Sequence, residues 1–181
     1  MIELLKPSQY RTFPWKNGGG VTAEIAADAE SSPPAWRLSL ATIERDGPFS
    51  DFRGYDRTIV ALDDGVTLTV DGNEVHLQRH EPFEFRGESI VGAHVAQGPT
   101  QDLNVMTLRS EFAHDVEVLT EARRYLVDQD ELLFAYVLCG DAVVSGIACA
   151  AGETTYLDEV ERFDVVPGAD SAVCVVHVTP R

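Results

Sequence analysis

The sequence predicts an all-β protein built from two small, similar barrels. Short runs of alternating or apolar residues fill most of the 181-residue chain, and turn-forming Gly, Pro, Asn and Asp separate them. The spacing of these turn signals, roughly 8–12 residues, is typical of sandwiches and barrels. Helical periodicity is hard to find, and the second half of the chain repeats the run–turn–run pattern of the first.

The first strands are predicted to begin at Val21, Trp36 and Arg57. In the second of them, WRLSLATIE, polar Arg37 and Ser39 alternate with apolar residues, so both face the same side of a sheet. The intervening segment DAESSPPA holds two prolines and two serines, which favours a surface loop.

A hairpin is predicted where VTLTV and NEVHL flank Asp71-Gly72, because both residues tolerate the positive φ of a tight turn. The segments PFEFRG, SIVGAHVAQ and QDLNVMTLR continue the strand pattern. In the last of these, Asp102, Asn104 and Met106 share one face. A buried Asn104 needs hydrogen-bond partners, which either a ligand or a neighbouring main chain can supply.

The two halves match in several places. IVALDDGVTLTVDG resembles AYVLCGDAVVSG, which pairs Gly65 with Gly140 and Gly72 with Gly146; further on, PFEFRGE resembles RFDVVPGA. We therefore predict a first barrel at residues 1–109 and a second at 110–181, in one compact unit with strands exchanged between the halves. Closing a barrel removes exposed sheet edges, and barrel mouths often form pockets.

Two segments of the second half need separate interpretation. Residues 110–130 are charged and mixed, and they are predicted to cross between the halves. The run LLFAYVLCGDAVVSGIACAAG is apolar, but Asp141 lies near its middle, and a charge at a bilayer centre is costly. We expect two short strands around a turn there, not a membrane span.

The charge balance excludes several partners. With 14 Lys and Arg against 30 Asp and Glu, the net charge is −16. Such a chain repels phosphate backbones and anionic lipids, so we expect neither nucleic acid nor membrane as a partner. Three cysteines without a CxxC motif indicate reduced, buried thiols. The N-terminus MIELLKPSQY lacks the features of a signal peptide, so we expect a cytoplasmic protein.

The most unusual segment is PWKNGGGVTAEI, in which Lys16 and Asn17 precede three consecutive glycines. A phosphate-binding loop needs its lysine after the glycines and a helix following, so a nucleotide site is excluded. Two interpretations remain. The glycines form a flexible turn before a strand, or their N–H groups hold a small carboxylate beside Lys16 and Asn17.

Basic side chains are rare enough in this chain to stand out. If Lys16, Arg37 and Arg57 converge, they form a positive pocket in a negative molecule, and arginine suits bidentate carboxylate binding. The loop GPFSDFRGYDR is either an ordinary Pro/Gly loop or a source of further hydrogen bonds, for example from Ser50.

Metal and nucleophile signatures are absent from the sequence. The five histidines form no HxH pair and no cluster with zinc spacing, so we expect no bound metal and no cofactor. No GxSxG motif exists, and no cysteine lies in an electropositive loop, so we assign no catalytic residue.

The segments PWKNGGGVTAEI, WRLSLATIERDGPFSDFRGYDR and DLNVM, in this order, resemble the HutD/Ves family of cupin-fold proteins. The resemblance is strong over residues 1–109. It implies an all-β bicupin of the double-stranded β-helix type with few short helices. It also implies a bacterial cytosolic protein associated with histidine utilisation, which regulates flux by binding an intermediate such as urocanate or N-formylglutamate. The family motif falls on Trp15, Lys16, Asn17, Gly18, Gly19, Gly20, Thr22, Glu24, Arg37, Ser39, Gly47, Phe49, Ser50, Asp102 and Asn104.

Three functional hypotheses follow. The first is a small-molecule carboxylate-binding protein. The second is a metal-free isomerase or hydrolase with Glu24 as general base. The third is a protein-interaction module, and a homodimer is compatible with the sequence. We favour binding over catalysis, and the predicted ligand-binding residues are Lys16, Asn17, Gly18, Gly19, Thr22, Glu24, Arg37, Ser39, Phe49, Ser50, Arg57 and Asn104.

Overall fold

The computed structural model describes residues 1–64, 66–95, 97–128, 130–159 and 161–181, and these residues form an all-β fold. One turn of 3-10 helix lies at Pro7–Gln9. The strands of the first part of the chain are β1 (Ile2–Leu5), β2 (Arg11–Pro14), β3 (Gly20–Ala27), β4 (Trp36–Ile43), β5 (Gly47–Pro48), β6 (Tyr55–Ala61), β7 (Val66–Val70), β8 (Asn73–Leu77), β9 (Pro82–Arg86), β10 (Val91–Val95) and β11 (Thr100–Leu108). Those of the second part are β12 (Phe112–Leu119), β13 (Arg123–Leu126), β14 (Leu132–Cys139), β15 (Asp141–Val144), β16 (Ile147–Ala150), β17 (Thr154–Leu157), β18 (Arg162–Pro167) and β19 (Ala172–Pro180).

The chain divides into two units. One unit comprises residues 11–111, and the other comprises residues 1–10 together with 112–181. The N-terminal residues belong to the second unit because β1 pairs with β17, with Ile2 opposite Leu157. We call them the 11–111 unit and the 112–181 unit.

Each unit consists of two antiparallel sheets around its own apolar core. In the 11–111 unit the strand orders are β2-β3-β4-β11-β6-β9 and β5-β10-β7-β8. Its core draws on both sheets: Ile59 of the first packs in one cluster with Leu68 and Val91 of the second. The 112–181 unit has the orders β1-β17-β14-β19-β12 and β13-β18-β15-β16, with Phe163 and Val173 in its core.

The strand orders confirm the internal repeat. The run β4-β11-β6-β9 corresponds to β12-β19-β14-β17, and β5-β10-β7-β8 corresponds to β13-β18-β15-β16. Gly72 and Gly146 occupy equivalent hairpin turns. In each turn the preceding residue also has positive φ, 48° at Asp71 and 46° at Ser145.

One sequence match between the halves was wrong. PFEFRGE forms β9 in the larger sheet, whereas RFDVVPGA forms β18, whose counterpart is β10. Each segment has a phenylalanine in an alternating run and a glycine after that run. This pattern does not show to which of the two sheets a strand belongs. Gly65 lies outside the described residues.

Two further expectations differ from the structure. Residues 110–130 do not simply cross between the halves, because β12 and β13 lie within them. In β12, Val116 and Val118 alternate with Asp115 and Glu117, the period of a strand. The apolar segment from Leu132 forms three strands, since its alanine-rich end pairs as β16. No helix in the described part of the chain is long and apolar enough to cross a bilayer.

Candidate functional site

A patch of polar side chains lies on one face of the six-stranded sheet. Residues directly opposite each other in a ladder project from the same face. Arg37, Met106 and Arg57 are opposite one another on β4, β11 and β6. Two residues further along, Glu24 is opposite Ser39, which is opposite Asn104. This patch, called the polar face below, comprises Thr22, Glu24, Arg37, Ser39, Arg57, Asp102 and Asn104.

Arg57 is a buried cation held mainly by neutral groups. Arg57 is only 6% exposed to solvent. One Nη donates to Asn104 Oδ1 at 3.1 Å, and the guanidinium carbon lies 4.8 Å from the Phe85 ring and 5.2 Å from that of Phe52. Its buried Nε finds no acceptor among the described residues. Burial lowers the pKa of Arg57 to about 10.

Arg37 is a second cation beside the first. Its Nη2 lies 3.2 Å from Met106 Sδ, a weak acceptor, and its guanidinium carbon is 5.4 Å from the same Phe52 ring. Its Nε is also buried and has no partner in the described part of the structure. Burial lowers the pKa of Arg37, and its charge lowers that of Arg57 further. The two positive charges therefore repel each other where little water is present to screen them.

Asp102 offsets this positive charge only in part. The residue is 2% exposed, and burial raises the pKa of its carboxyl group to about 7, against the attraction of Arg57. Near neutral pH, the carboxyl group therefore holds its proton much of the time. A protonated carboxyl group leaves the charge of Arg57 uncompensated.

Ser39 and Glu24 complete the middle of the face. Ser39 is fully buried, and its Oγ lacks a hydrogen-bond partner among the residues described. Leaving a buried hydroxyl unpaired costs about 1–3 kcal/mol, so a group that binds there gains this energy. The Glu24 carboxylate is 17% exposed and lies 3.6 Å from Arg11 of the edge strand β2.

The glycine segment forms the turn between β2 and β3. Gly18 N–H donates to the Trp15 carbonyl at 3.0 Å, and Gly19 N–H donates to Asn17 Oδ1 at 2.9 Å. These two amides are therefore used within the turn. Lys16 and Asn17 are exposed there.

Gly18 and Gly20 must be glycine for two different structural reasons. Gly18 has a φ of 67°, the left-handed region that favours glycine. A Cβ on Gly20 would lie 2.2 Å from the Thr42 carbonyl oxygen and 3.1 Å from the Trp15 ring. The absence of a side chain at Gly20 leaves room for Trp15, whose Nε1 donates to Thr22 Oγ1 at 2.8 Å.

The structure brings together about half of the predicted ligand-binding residues. Thr22, Glu24, Arg37, Ser39, Arg57 and Asn104 lie on the polar face. Phe49 joins them through its ring, 5.5 Å from the Arg57 guanidinium carbon. The turn residues Lys16, Asn17, Gly18 and Gly19 do not lie on the face, and Ser50 is exposed in the loop after β5.

Four participants were not among the predicted ligand-binding residues. One of them, Met106, lies opposite both arginines on β11 and accepts from Arg37. Asp102 has the same strand parity as Asn104, a signal that identifies it as part of the face. Phe52 and Phe85 pack on Arg57, but sequence cannot show that β9 pairs with β6 and places Phe85 opposite Arg57. Within the described ranges, no group of three or more His, Cys, Asp and Glu side chains could hold a metal ion.

Comparison with curated proteins gives partial matches. An uncharacterised 21.2 kDa protein in the hutC 3′ region of Pseudomonas putida is 42% identical over 109 residues, 58% of this chain and 57% of that protein. Protein Ves of Citrobacter koseri is 40% identical over 112 residues, 58% of this chain and 56% of its own. This chain therefore spans little more than half the length of these relatives.

Solved structures match over the whole chain. HutD from Pseudomonas fluorescens SBW25 superposes with a TM-score of 0.91 at 29% identity and full coverage of both chains. A cupin 2 conserved barrel domain protein from Leptotrichia buccalis has a TM-score of 0.59 at 9% identity, over 94% of this chain and 96% of its own, which shows a shared fold alone. The HutD family model matches residues 7–175. The architecture is thus that of a bicupin, and the chain belongs to the HutD family.

Proposed function

We propose that this protein binds a small carboxylate between Arg37 and Arg57 on the polar face. The observation that supports this most strongly is the pair formed by the buried Arg57 and the half-buried Arg37, because neither Nε has a hydrogen-bond partner among the described residues. Their neighbours are an amide, a thioether and a carboxyl group whose pKa is raised to about 7. Glu24 attracts Arg37, and a bound anion adds negative charge together with the acceptors that the two Nε groups lack among the described residues.

The surroundings favour a tight interaction. Arginine offers paired N–H donors that match the two oxygens of a carboxylate. Phe49, Phe52 and Phe85 pack around the Arg57 guanidinium. These rings exclude water, and a charge-assisted hydrogen bond is stronger where the dielectric constant is low.

The ligand we propose is an intermediate of histidine breakdown, with urocanate and N-formylglutamate as candidates. Membership of the HutD family and the relative in the hutC 3′ region support this choice. In this role the protein sequesters the intermediate in the cytoplasm and thereby limits catabolic flux.

Isothermal titration calorimetry with both acids tests the proposal. We expect heat of binding for at least one of them. We also expect a rise in Tm with ligand concentration, because a ligand that binds the folded state adds about 2.7 kcal/mol of stability at one hundred times Kd. Absence of both signals at millimolar ligand contradicts the proposal. Ligand recovered unchanged supports binding, and a new product indicates an enzyme instead.

A further inference from the structure

The charges on the polar face are separated along the strands. Arg37 and Arg57 lie in one row across the sheet, whereas Glu24 lies in the next row with Ser39 and Asn104. Successive rows on one face are about 6.6 Å apart. Arg37 lies two residues from Ser39, the residue opposite Glu24, so Glu24 and Arg37 are diagonal neighbours on β3 and β4, next to the bulge that follows Glu24. A small molecule with two polar ends can span this distance.

Glu24 is available to such a molecule. Its only ion pair among the described residues is with Arg11 at 3.6 Å, and the Arg11 side chain is 75% exposed. Solvent screens a pair of this kind, so it contributes little. The negative charge of Glu24 also attracts Arg37 and raises the pKa of that arginine, against the effect of burial. Ser39, which is opposite Glu24 and two residues from Arg37 on β4, has a buried Oγ without a hydrogen-bond partner among the described residues.

We infer that Glu24 determines ligand specificity, and that the ligand is a monocarboxylate whose other end carries an N–H donor or a positive charge. The carboxylate end pairs with Arg37 and Arg57, and the N–H end donates to Glu24, with Ser39 Oγ between them. This inference rests on the proposed carboxylate site and adds the chemistry of the opposite end.

The inference separates the two candidate acids. Urocanate carries an imidazole ring, which presents an N–H donor and becomes cationic on protonation. N-formylglutamate has an amide N–H, but it also carries a second carboxylate, which Glu24 repels if the first is bound by the arginines. Like charges brought together without solvent weaken binding, so the dicarboxylate binds less tightly.

Calorimetry with three probes tests this on the intact protein: urocanate, furanacrylate and N-formylglutamate. Furanacrylate has the same conjugated acid but a furan oxygen in place of the N–H. We expect the wild type to bind urocanate at least about tenfold more tightly than the other two, the value of one charge-assisted hydrogen bond.

Two variants assign the preference to Glu24. In Glu24→Gln we expect the preference for urocanate over furanacrylate to fall to within about twofold, with furanacrylate affinity retained. The control, Arg11→Gln, removes the same surface ion pair from its other end, and we expect it to keep the wild-type preference. Thermal unfolding of each variant shows whether it is folded. If Glu24→Gln does not fold, the relative affinity of the wild type for urocanate and furanacrylate decides whether the inference holds.

The outcomes distinguish this inference from the proposed function. Equal affinity of the wild type for urocanate and furanacrylate overturns the inference and leaves the carboxylate site standing. A Glu24→Gln variant that weakens both acids equally also overturns it, because Glu24 then acts on the fold and not on the N–H end. If none of the three acids binds, the proposed function and this inference both fail.

Discussion

Arg37 and Arg57 occupy places where burial without a ligand is unfavourable. Each guanidinium has a buried Nε without an acceptor in the part of the chain described. Burial lowers the pKa of both arginines. A buried charge costs free energy unless it is paired and hydrogen-bonded, and replacing such a charge with an apolar side chain of similar size removes that cost. Stability and ligand affinity therefore change in opposite directions when one arginine is replaced.

Replacing Arg37 with methionine tests whether stability and ligand affinity change in opposite directions. We expect the free energy of unfolding of the unliganded protein to stay unchanged or to rise by about 1–2 kcal/mol. We expect urocanate affinity to fall about 10- to 100-fold, since charge-assisted hydrogen bonds are lost. Urea unfolding and calorimetry measure the two effects.

Arg109→Met is the matched control. Arg109 donates to Asp56 at 2.7 Å and to Glu88 at 3.1 Å, outside the polar face. Here we expect lower stability and unchanged ligand affinity. If Arg37→Met behaves in the same way as Arg109→Met, Arg37 is a structural residue and not a ligand-binding one.

Asp102 makes stability depend on pH in a defined window. Its carboxyl group has an ordinary pKa of 3.8, which burial raises to about 7 in the folded protein. Between these values the folded state holds a proton that the unfolded state has lost, so this residue's contribution to stability decreases as pH rises. Glu88, whose pKa is lowered to about 2 by Arg109, loses its contribution at more acidic pH.

We therefore expect Asp102→Asn to gain stability relative to the wild type as the pH is raised from about 5 to about 8. Urea unfolding of both proteins at the two pH values gives the difference directly. A difference in unfolding free energy that is the same at both values, or that shrinks with pH, is inconsistent with a protonated Asp102.

At the scale of elements, the turn between β2 and β3 shows how glycine supports the site indirectly. The turn seats Trp15 against Thr22, and Gly20 lies so close to Thr42 that no Cβ fits. The three consecutive glycines predict a special backbone but do not distinguish a close approach from a ligand-binding loop. The glycines therefore predict Lys16 in the site, whereas the structure shows it exposed in the turn.

Gly20→Ala tests this account of the turn. We expect the free energy of unfolding to fall by about 1–3 kcal/mol, because the new methyl group forces β3 away from β4. In the control Gly92→Ala, the added Cβ meets no atom within 4 Å, and we expect a change of less than about 0.5 kcal/mol. Equal effects in the two variants would show that Gly20 is not tightly packed.

Strand alternation predicts which residues share a face, but not which strands are neighbours. The pairs Arg37 with Ser39 and Asp102 with Asn104 follow from a period of two and are confirmed. The approach of Arg57 to Phe85 depends on the pairing of β6 with β9, which follows from the fold. Local sequence does not contain that information.

At the scale of the whole molecule, the two units share a topology but not a site. Matching Ala61 of β6 with Val137 of β14, which keeps the core-facing residues of the two strands in register, aligns the corresponding sheets. The position of Arg57 is then taken by Leu133, and that of Asn104 by Val175. The equivalent of Arg37 is Asp115, an acidic residue.

The repeat therefore predicts one carboxylate per chain. The equivalent of Met106 is His177, which is paired with Glu131. A face without an arginine does not attract an anion strongly, so we expect no second ligand in the 112–181 unit. The stoichiometry from calorimetry with urocanate checks this, with an expected value of one. Two equivalent sites would contradict the assignment of the polar face as the binding surface.

A crystal structure of the protein with bound urocanate shows directly whether Arg37 and Arg57 bind the carboxylate. We expect the carboxylate of the ligand within hydrogen-bond distance of Arg37 and Arg57, with its oxygens accepting from the guanidinium groups. A ligand bound instead at the turn of Lys16, or anywhere that leaves both arginines without contact, would contradict it.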